Sequence, residues 1–370
     1  MSNDIKRVRT SYSQISTYKE CPQHWSWRYE HKYSSPEEGS SLKFGGAVDN
    51  AVMAMLEKKD NYLEIFHEKW FSVEYKGVVE QVFDNPNITF SYNDFDSDIL
   101  LQDDLDTMGL WAKELGLKVE TDVIDLFKQI SKGKKNKFKP LTKKQLTYFN
   151  RCNWISLNRK GPILIESFKK HFLPKIKKVH TTQRFGNIKS PSTGHSFMGA
   201  LDFVADIEGY DKPVILDLKT AARPYTDDQL KFSEQLPLYA QMFGEDYKTD
   251  LVGYVILCKN INKVRTAYCK SCGNDKSSRH KTCDNVVSNE RCGGEWEEKL
   301  VLDPQVQVII TDKSQEERYR LMREYVNVAE AMSQSLIYRN TSKCTNWYGG
   351  VCPFFDACHN DDTSNLKKRY

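Results

Sequence analysis

Alternating apolar and polar residues predict a series of strands in the second half of the chain. Turn sequences such as KSPSTG and EGYDKP separate the segments that have this period of two. The predicted strands are 181–188, 195–207, 212–220, 251–258 and 298–310. Their number and spacing indicate that one sheet forms the centre of the molecule.

Helical periodicity is found on both sides of these strands. Residues 11–30 begin with serines that can cap a helix, and Pro22 predicts that this helix ends or bends there. A second helix is expected over 45–59, where apolar residues recur every three or four positions. Capping boxes predict further helix starts at Thr226 and Ser314. Strands and helices in this order predict an α/β fold with a mixed central sheet flanked by helices.

The stretch between residues 60 and 180 has a weaker pattern, which predicts helices and loops, with a loop over 81–100. Its charges are unevenly distributed: 93–106 is acidic, 128–145 is strongly basic, and 168–180 places lysines around aromatic residues. A solvated face is one interpretation of the basic runs. Nucleic-acid binding is the other, because lysines neutralise phosphates while aromatic rings stack on bases.

Composition excludes two broad classes of protein. With 39% hydrophobic and 12% aromatic residues among 370, the chain is globular rather than disordered. No apolar run approaches the roughly 18 residues of a membrane span, and the first residues lack the apolar core of a signal peptide. A cytoplasmic protein is therefore expected.

Two charged residues stand out inside an apolar strand. Asp217 and Lys219 share one face of the segment 213–221 (PVILDLKTA), where burial costs several kcal/mol per ion before pairing. A plain salt bridge is one explanation. However, Asp202 lies on the preceding strand, and two neighbouring carboxylates repel each other unless a cation lies between them. Oxygen ligands favour Mg²⁺ or Mn²⁺. Asp49, at the border of the buried stripe of its helix, is either an exposed flank residue or a functional acid.

These stretches resemble the PD-(D/E)xK nuclease superfamily, in particular its RecB-like branch of CRISPR-associated adaptation nucleases and phage exonucleases. The resemblance is carried by GALDFV around Asp202, by DLKT from Asp217 and by QLPLYA with Gln235 and Tyr239. The opening SYSQISTYKECPQHW and the closing CTNWYGGVCPFFDAC also fit, so the resemblance extends over 11–358. It implies a restriction-endonuclease-like core.

The resemblance also implies which residues bind the metal. Asp202 and Asp217 would bind Mg²⁺ or Mn²⁺, with Asp49 as a further ligand and the main-chain carbonyl of Leu218 completing the shell. The family often has a histidine where this chain has Asp49. Aspartate is still an acceptable ligand for a hard cation.

The remaining motif residues have implied roles in catalysis. Lys219 would position or activate the attacking water, and Gln235 and Tyr239, one helical turn apart, would orient the lysine or the DNA. Pro237 lies between them and requires that the helix kink or restart near Ser233.

Four central cysteines have the spacing of a zinc site. Cys269 and Cys272 form a Cys-x-x-Cys-Gly knuckle, and Cys283 and Cys292 would complete a tetrahedral site of four thiolates. His280 could replace Cys283. This predicts a zinc-ribbon insertion that serves as a rigid strut or as a contact surface for DNA or a partner.

Three further cysteines lie close together near the end of the chain, at 344, 352 and 358. In the resembled family, a cysteine of the opening helix, here Cys21, joins the closing three in binding a [4Fe–4S] cluster. Ligation by four thiolates suits such a cluster, and structural zinc is the rival.

Together these features predict a metal-dependent DNA nuclease, with exonuclease action in recombination, repair or phage DNA processing. Its partners would be single-stranded DNA or DNA ends, together with other recombination or replication proteins. A DNA-binding recombination factor, or a zinc-ribbon adaptor whose nuclease site is weak, is the alternative. The expected organisation is N-terminal helices (1–60), a helical insertion (61–180), the nuclease core (181–262), the zinc ribbon (263–300) and a closing segment with the last cysteines (301–370).

Overall fold

The computed structural model describes residues 7–35, 38–75, 78–83, 85, 88–119, 122–136, 140–276, 281–288, 290–345 and 351–368. The helices are α1 (Tyr12–Glu20), α2 (Pro22–Trp25), α3 (Ser40–Leu56), α4 (Tyr62–Phe71), α5 (Gln102–Glu114), α6 (Val123–Lys135), α7 (Lys143–His171), α8 (Asp227–Lys231), α9 (Gln235–Tyr247), α10 (Gln315–Ser333) and α11 (Phe355–His359). The strands are β1 (Arg9–Ser11), β2 (Tyr33–Ser34), β3 (Glu38–Gly39), β4 (Ser72–Tyr75), β5 (Val78–Gln81), β6 (Ile88–Thr89), β7 (Ile176–Lys189), β8 (Ser196–Ile207), β9 (Val214–Ala221), β10 (Leu251–Cys258), β11 (Asn262–Cys269), β12 (Val286–Val287), β13 (Glu290–Arg291), β14 (Trp296–Asp303), β15 (Val306–Asp312) and β16 (Lys367–Lys368).

A six-stranded mixed sheet forms the centre of the molecule. Along it, β8 is followed by β9, β10 and β15, and only the β9–β10 pair of these neighbours is parallel. Strand β7 pairs antiparallel with β8 along most of its length, so β9 and the short parallel β1 share the other edge of β8. The α/β fold with a mixed central sheet flanked by helices is confirmed.

Helices cover both faces of this sheet because its strands are apolar on both sides. Helices α3, α4 and α7 pack on one face in a continuous apolar cluster. Helices α9, α1 and α10 pack on the other face in two smaller clusters. Strand β9 contributes to both faces: Val214, Leu216 and Leu218 point to the first, and Ile215 points to the second. This is the alternation expected of its sequence.

Prolines and capping residues set several helix boundaries as the sequence indicates. Cys21 is extended between α1 and α2, and Pro22 is the first residue of α2, where a missing N–H costs little. Helix α9 begins anew at Gln235, so Pro237 lies in its first turn and breaks no internal hydrogen bond. The capping boxes at Thr226 and Ser314 are both present.

The stretch from 60 to 180 contains strands that the sequence pattern did not predict. Strands β4 and β5 form an antiparallel hairpin, and β6, inside the expected loop 81–100, pairs with β3. The sequence pattern predicts mostly helices and loops there, and these short strands are additions to that pattern. The signal is weak because β6 has only two residues and β4 and β5 have four each, too few for a period of two to be distinguished from chance.

The central cysteines lie on an insertion between β10 and β15. Strands β11 and β14 pair as an antiparallel ribbon from Asn262 opposite Asp303 to Cys269 opposite Trp296, and the short β12–β13 hairpin lies between them in the chain. Among the described residues, none of the helices combines the length and the apolarity that crossing a membrane requires.

Candidate active site and cysteine clusters

The regular strand pairing of the central sheet is interrupted where β8 and β9 diverge. These strands pair only from Ala205 opposite Val214 to Phe203 opposite Leu216. Beyond that point β9 continues beside β10, and the free edge of β8 pairs with β1. Asp202 and Asp217 are the first residues past the last pair, so both lie at the base of the fork between the strands.

The fork explains how Asp202 is held. Its Oδ2 accepts a hydrogen bond of 2.6 Å from the backbone N–H of Leu218, a donor that has lost its partner strand. The N–H and C=O of one residue point to the same side of a strand, so the Leu218 carbonyl also faces the fork.

Asp217 is the buried centre of a polar network. Its Oδ1 accepts hydrogen bonds from Gln235 Nε2 at 3.0 Å and from the Tyr239 hydroxyl at 3.4 Å. Lys219 Nζ lies 2.5 Å from its Oδ2. The network brings Asp217 and Lys219 of β9 together with Gln235 and Tyr239 of α9, as the sequence predicted. Both carboxylate oxygens of Asp217 are contacted in it.

Gly199, the glycine of the GALDFV motif, and Gly186, which the sequence reasoning did not select, allow α9 to reach this network. Gly186 of β7 and Gly199 of β8 are paired across the two strands. A Cβ at Gly186 would come within 2.5 Å of Met242 Sδ, and one at Gly199 would come within 3.3 Å of Tyr239. Glycine inside a strand signals such a close approach. The pair therefore sets the height of α9 and Tyr239 above the sheet.

Asp49 reaches the same site from α3 on the other side. A Cβ at Gly45, one turn earlier, would lie 3.0 Å from Thr220 Oγ1, so this helix packs close to β9. Gln183 Nε2 lies 3.5 Å from Asp49 Oδ2. Asp49 Oδ1 is buried and has no hydrogen-bond donor among the described residues. A buried carboxylate oxygen without a donor is the kind of group that a cation satisfies.

The electrostatics of the three acids point to a cation as well. Desolvation, followed by repulsion from Asp217, raises the pKa of Asp49 to about 6. Desolvation and repulsion from Asp217 and Asp49 raise the pKa of Asp202 to about 8. Burial also raises the pKa of Asp217. For Lys219, desolvation lowers the pKa, but the neighbouring carboxylates, Asp217 first, raise it more, so its pKa is raised overall. One lysine does not neutralise three acids, so the donor set fits a hydrated divalent cation.

The central cysteines have the spacing of a single-ion site. The Sγ atoms of Cys269 and Cys292 are 3.6 Å apart, and those of Cys272 and Cys283 are 3.7 Å apart. Tetrahedral zinc with bonds of about 2.3 Å separates its sulfurs by about 3.8 Å. In the described part of the chain, no other group of three or more Cys, His, Asp or Glu residues has all its ligand atoms within 4.8 Å, so the acids of the fork are spaced more widely. His280 lies outside the described residues.

Glycines and backbone amides shape this cluster. Gly273 and Gly293, directly after two of the cysteines, have φ values of 73° and 63°, which turn the chain around the sulfurs. A Cβ at Gly294 would come within 2.6 Å of Cys269 Sγ. Desolvation raises the pKa of the Cys269 thiol, but hydrogen bonds from the backbone N–H groups of Cys272 and Ser271 lower it more. The net effect is a lowered pKa of about 6. A thiolate at neutral pH is what metal binding requires.

The other four cysteines meet although they are far apart in sequence. Cys21, Cys344, Cys352 and Cys358 line one pocket between the opening helices and the tail. Two sulfurs accept hydrogen bonds, Cys358 from the indole of Trp27 at 3.2 Å and Cys21 from a backbone N–H at 3.4 Å. Unlike the central four, no three of these cysteines have their sulfurs within 4.8 Å of one another.

Comparison with protein families agrees with the geometry. The model of the PD-(D/E)XK nuclease superfamily matches residues 9–359, which include all the acids of the fork, Lys219 and both cysteine groups. Comparison with curated proteins gives no match. Because the family model covers nearly the whole chain, the chain belongs to the PD-(D/E)XK nuclease superfamily.

Proposed function

We propose that the protein is a Mg²⁺- or Mn²⁺-dependent DNA nuclease that hydrolyses phosphodiester bonds in the fork between β8 and β9. The observation that carries this proposal is the convergence of three carboxylates with raised pKa values and one lysine at the base of the fork. A purely structural ion pair needs one acid for one lysine. Two further acids at the same place destabilise the fold unless they bind a cation.

Asp49, Asp202 and Asp217 would hold the cation, with the Leu218 carbonyl facing the same space. When bound, a divalent cation neutralises the charge that develops on the phosphate oxygens. Lys219 Nζ would hold the attacking water for in-line attack on phosphorus. The water oxygen would form a new bond to phosphorus and release one proton to solvent. The P–O bond to the leaving sugar oxygen would break, and that oxygen would take up a proton from solvent, which leaves a phosphate monoester and a hydroxyl.

Gln235 and Tyr239 act on this chemistry through Asp217. Both donate to its Oδ1, which leaves its Oδ2 directed at Lys219. Burial raises the pKa of the Tyr239 hydroxyl well above its usual range, so this group remains a donor at physiological pH. The pair would therefore orient one metal ligand and the lysine at once.

We further infer that the protein is a RecB-like exonuclease that carries a [4Fe–4S] cluster and a structural zinc ion. The pocket lined by Cys21 and the closing cysteines supports the cluster, and the sulfur spacing of the central cysteines supports zinc. Substrates would be single-stranded DNA or DNA ends arising in recombination, repair or phage DNA processing.

The test is incubation of the purified protein with end-labelled linear DNA, single- or double-stranded, and with closed circular DNA of the same sequence. We expect degradation of linear DNA in Mn²⁺ or Mg²⁺ and none in EDTA. Circular DNA should remain intact if the enzyme needs an end. Cleavage of circles would support endonuclease action instead. An inactive protein that still binds DNA would favour a recombination factor.

A further inference from the structure

A residue with a left-handed backbone lies in the middle of a strand beside the proposed metal site. Gln183 of β7 has a φ of 46°, a region that residues other than glycine, asparagine and aspartate seldom occupy. Its neighbours Thr182 and Arg184 pair with Phe203 and Leu201 of β8, so Gln183 lies opposite Asp202. Strained backbone persists where the surrounding structure requires it, often at functional sites.

The unusual φ changes where two consecutive side chains point. Thr182 Oγ1 donates a hydrogen bond of 2.7 Å to Glu57 Oε1 just past the end of α3, and Gln183 Nε2 lies 3.5 Å from Asp49 Oδ2 within α3. Successive residues of a regular strand point to opposite faces. Here both reach the same helix, and the left-handed conformation of Gln183 makes this possible.

Strand β8 changes face at the same level. Leu201 packs in the cluster on the α9 side, whereas Phe203, two residues later, packs in the cluster on the α3 side. Residues two apart in a regular strand share one face. The alternation of faces in β8 is therefore interrupted at Asp202, directly opposite Gln183. At this level the Asp202 carboxylate of β8 points into the fork and the Gln183 amide of β7 points toward α3.

We propose that Gln183 is a positioning residue of the nuclease site, which orients Asp49 as a metal ligand; this inference rests on the proposed function. Its amide contacts Oδ2 of Asp49, at the long end of hydrogen-bond range, while the buried Oδ1 has no donor among the described residues and remains available to a cation. A neutral amide holds the carboxylate without cancelling the charge that attracts the metal. Groups that orient metal ligands in this way tune metal affinity.

The experiment measures Mn²⁺ affinity by calorimetric titration of the full chain. Gln183→Asn keeps a residue that tolerates positive φ but shortens the side chain by one methylene, and Gln183→Gly removes the amide altogether. We expect both variants to bind Mn²⁺ about tenfold more weakly. Their Tm should equal or exceed that of the wild type, because both relieve the strained backbone.

Two controls separate positioning from general packing. Thr182→Val removes the neighbouring hydrogen bond between β7 and α3, and it should leave Mn²⁺ affinity unchanged. In an Asp49→Asn background, Gln183→Asn should have no further effect, because the group that it orients is no longer a carboxylate.

The outcomes distinguish this inference from the proposed function. The positioning role would be overturned if both Gln183 variants bound Mn²⁺ as tightly as the wild type. It would also be overturned if Gln183→Asn lowered the Mn²⁺ affinity equally in the Asp49→Asn background. Either result would leave the nuclease proposal intact. A Tm loss in Gln183→Gly that matches or exceeds that of Thr182→Val would make Gln183 a structural residue only. A wild-type protein that binds no Mn²⁺ would overturn both proposals.

Discussion

Gly186 and Gly199 lie directly opposite each other in β7 and β8, and helix α9 occupies the space that their missing side chains leave. The close approach lets Tyr239 of α9 reach Asp217 of β9. The position of the polar network around Asp217 therefore depends on two residues that have no side-chain functional group.

Substitution at this pair should disturb both the fold and the site. The added methyl of Gly186→Ala would overlap Met242 Sδ and the ring of Phe243, so we expect the free energy of unfolding to fall by about 1–3 kcal/mol. Activity should fall further than the loss of stability explains, since α9 carries Gln235 and Tyr239.

The control is Gly46→Ala in helix α3, where a Cβ meets nothing within 4 Å. That change should be neutral or stabilising by up to about 1 kcal/mol. Denaturant unfolding at equal protein concentration measures both; equal stability of the two variants would contradict the packing argument.

Lys219→Ala should abolish cleavage while folding and DNA binding remain. Removing the amine leaves Asp217 buried without its cation partner, and this carboxyl can take up a proton because burial already raises its pKa. We expect a rate loss of at least about 10²-fold, as expected when a group that positions the attacking water is removed. Lys212→Ala, which removes an exposed pair with Asp250, is the matched control. A Lys219→Ala variant that cut DNA at the wild-type rate would refute the assigned role.

The raised pKa of Asp202 predicts how stability depends on pH. In the folded protein this carboxyl keeps its proton up to about pH 8, whereas an unfolded aspartate releases it near pH 4. Between these values the folded state binds more protons, so the free energy of unfolding of the metal-free protein falls as pH rises, by up to about 1.4 kcal/mol per pH unit from one site. A bound cation replaces the proton, so Mn²⁺ should raise Tm more at pH 8 than at pH 5.

Asp202→Asn isolates this contribution, because asparagine does not titrate. Its metal-free stability should decline less steeply with pH than that of the wild type, and Mn²⁺ should stabilise it less at pH 8. Asp211→Asn, an exposed substitution in the turn between β8 and β9, should keep the wild-type slope. Identical slopes for Asp202→Asn and wild type would show that Asp202 does not titrate in this range.

Local sequence patterns were sufficient for most of the sheet and for half of the site. They did not show strand β1, and the predicted strand 298–310 is divided between β14 of the ribbon and β15 of the central sheet. Alternation in 212–220 places Asp217 and Lys219 on one face, and the structure agrees. One-turn spacing places Gln235 and Tyr239 together, and they contact each other. Such features depend on residues within one element, which a sequence displays directly.

The rest depends on how elements meet. Strands β8 and β9 separate after three pairs, and Asp202 accepts a hydrogen bond from the Leu218 N–H at that point. Strand β1 pairs with the free edge of β8 further along. No periodicity encodes that arrangement. The positive φ of Gln183 is equally invisible, since glutamine carries no preference for it. Asp49 could be placed only by the family resemblance, because its helix pattern also fits an exposed flank.

The central cysteines should bind one zinc ion per chain. Cys272→Ser should lose it, because three thiolates and a hydroxyl hold zinc far less tightly than four thiolates. The nuclease core should remain folded, since the ribbon of β11 and β14 lies in a connection between β10 and β15 and not within the central sheet. Cys152→Ala, which changes a buried thiol elsewhere, should keep the zinc. Elemental analysis gives the zinc content, and circular dichroism reports the fold; a wild-type protein without zinc would remove the assignment.

The last prediction concerns the closing cysteines, which join the two ends of the chain. Cys21 follows α1, and the tail reaches it through Tyr18, whose hydroxyl donates to the Leu336 carbonyl, and through Asn340, whose amide donates to the Glu20 carbonyl. A shared cluster would close a loop of more than 300 residues and add to these contacts.

Protein prepared without oxygen should therefore be brown and contain about four iron atoms per chain, as ligation of one [4Fe–4S] cluster requires. Cys21→Ala should lose the iron as completely as Cys358→Ala, and both should unfold at lower temperature, because the opening helix and the tail are then held only by hydrogen bonds and packing. Cys258→Ala, in the buried core of β10, controls for the loss of a thiol elsewhere and should keep its iron. Full iron content in Cys21→Ala would mean that the three closing cysteines bind their metal without the opening helix, and the pocket that they share with Cys21 would then be a packing contact alone.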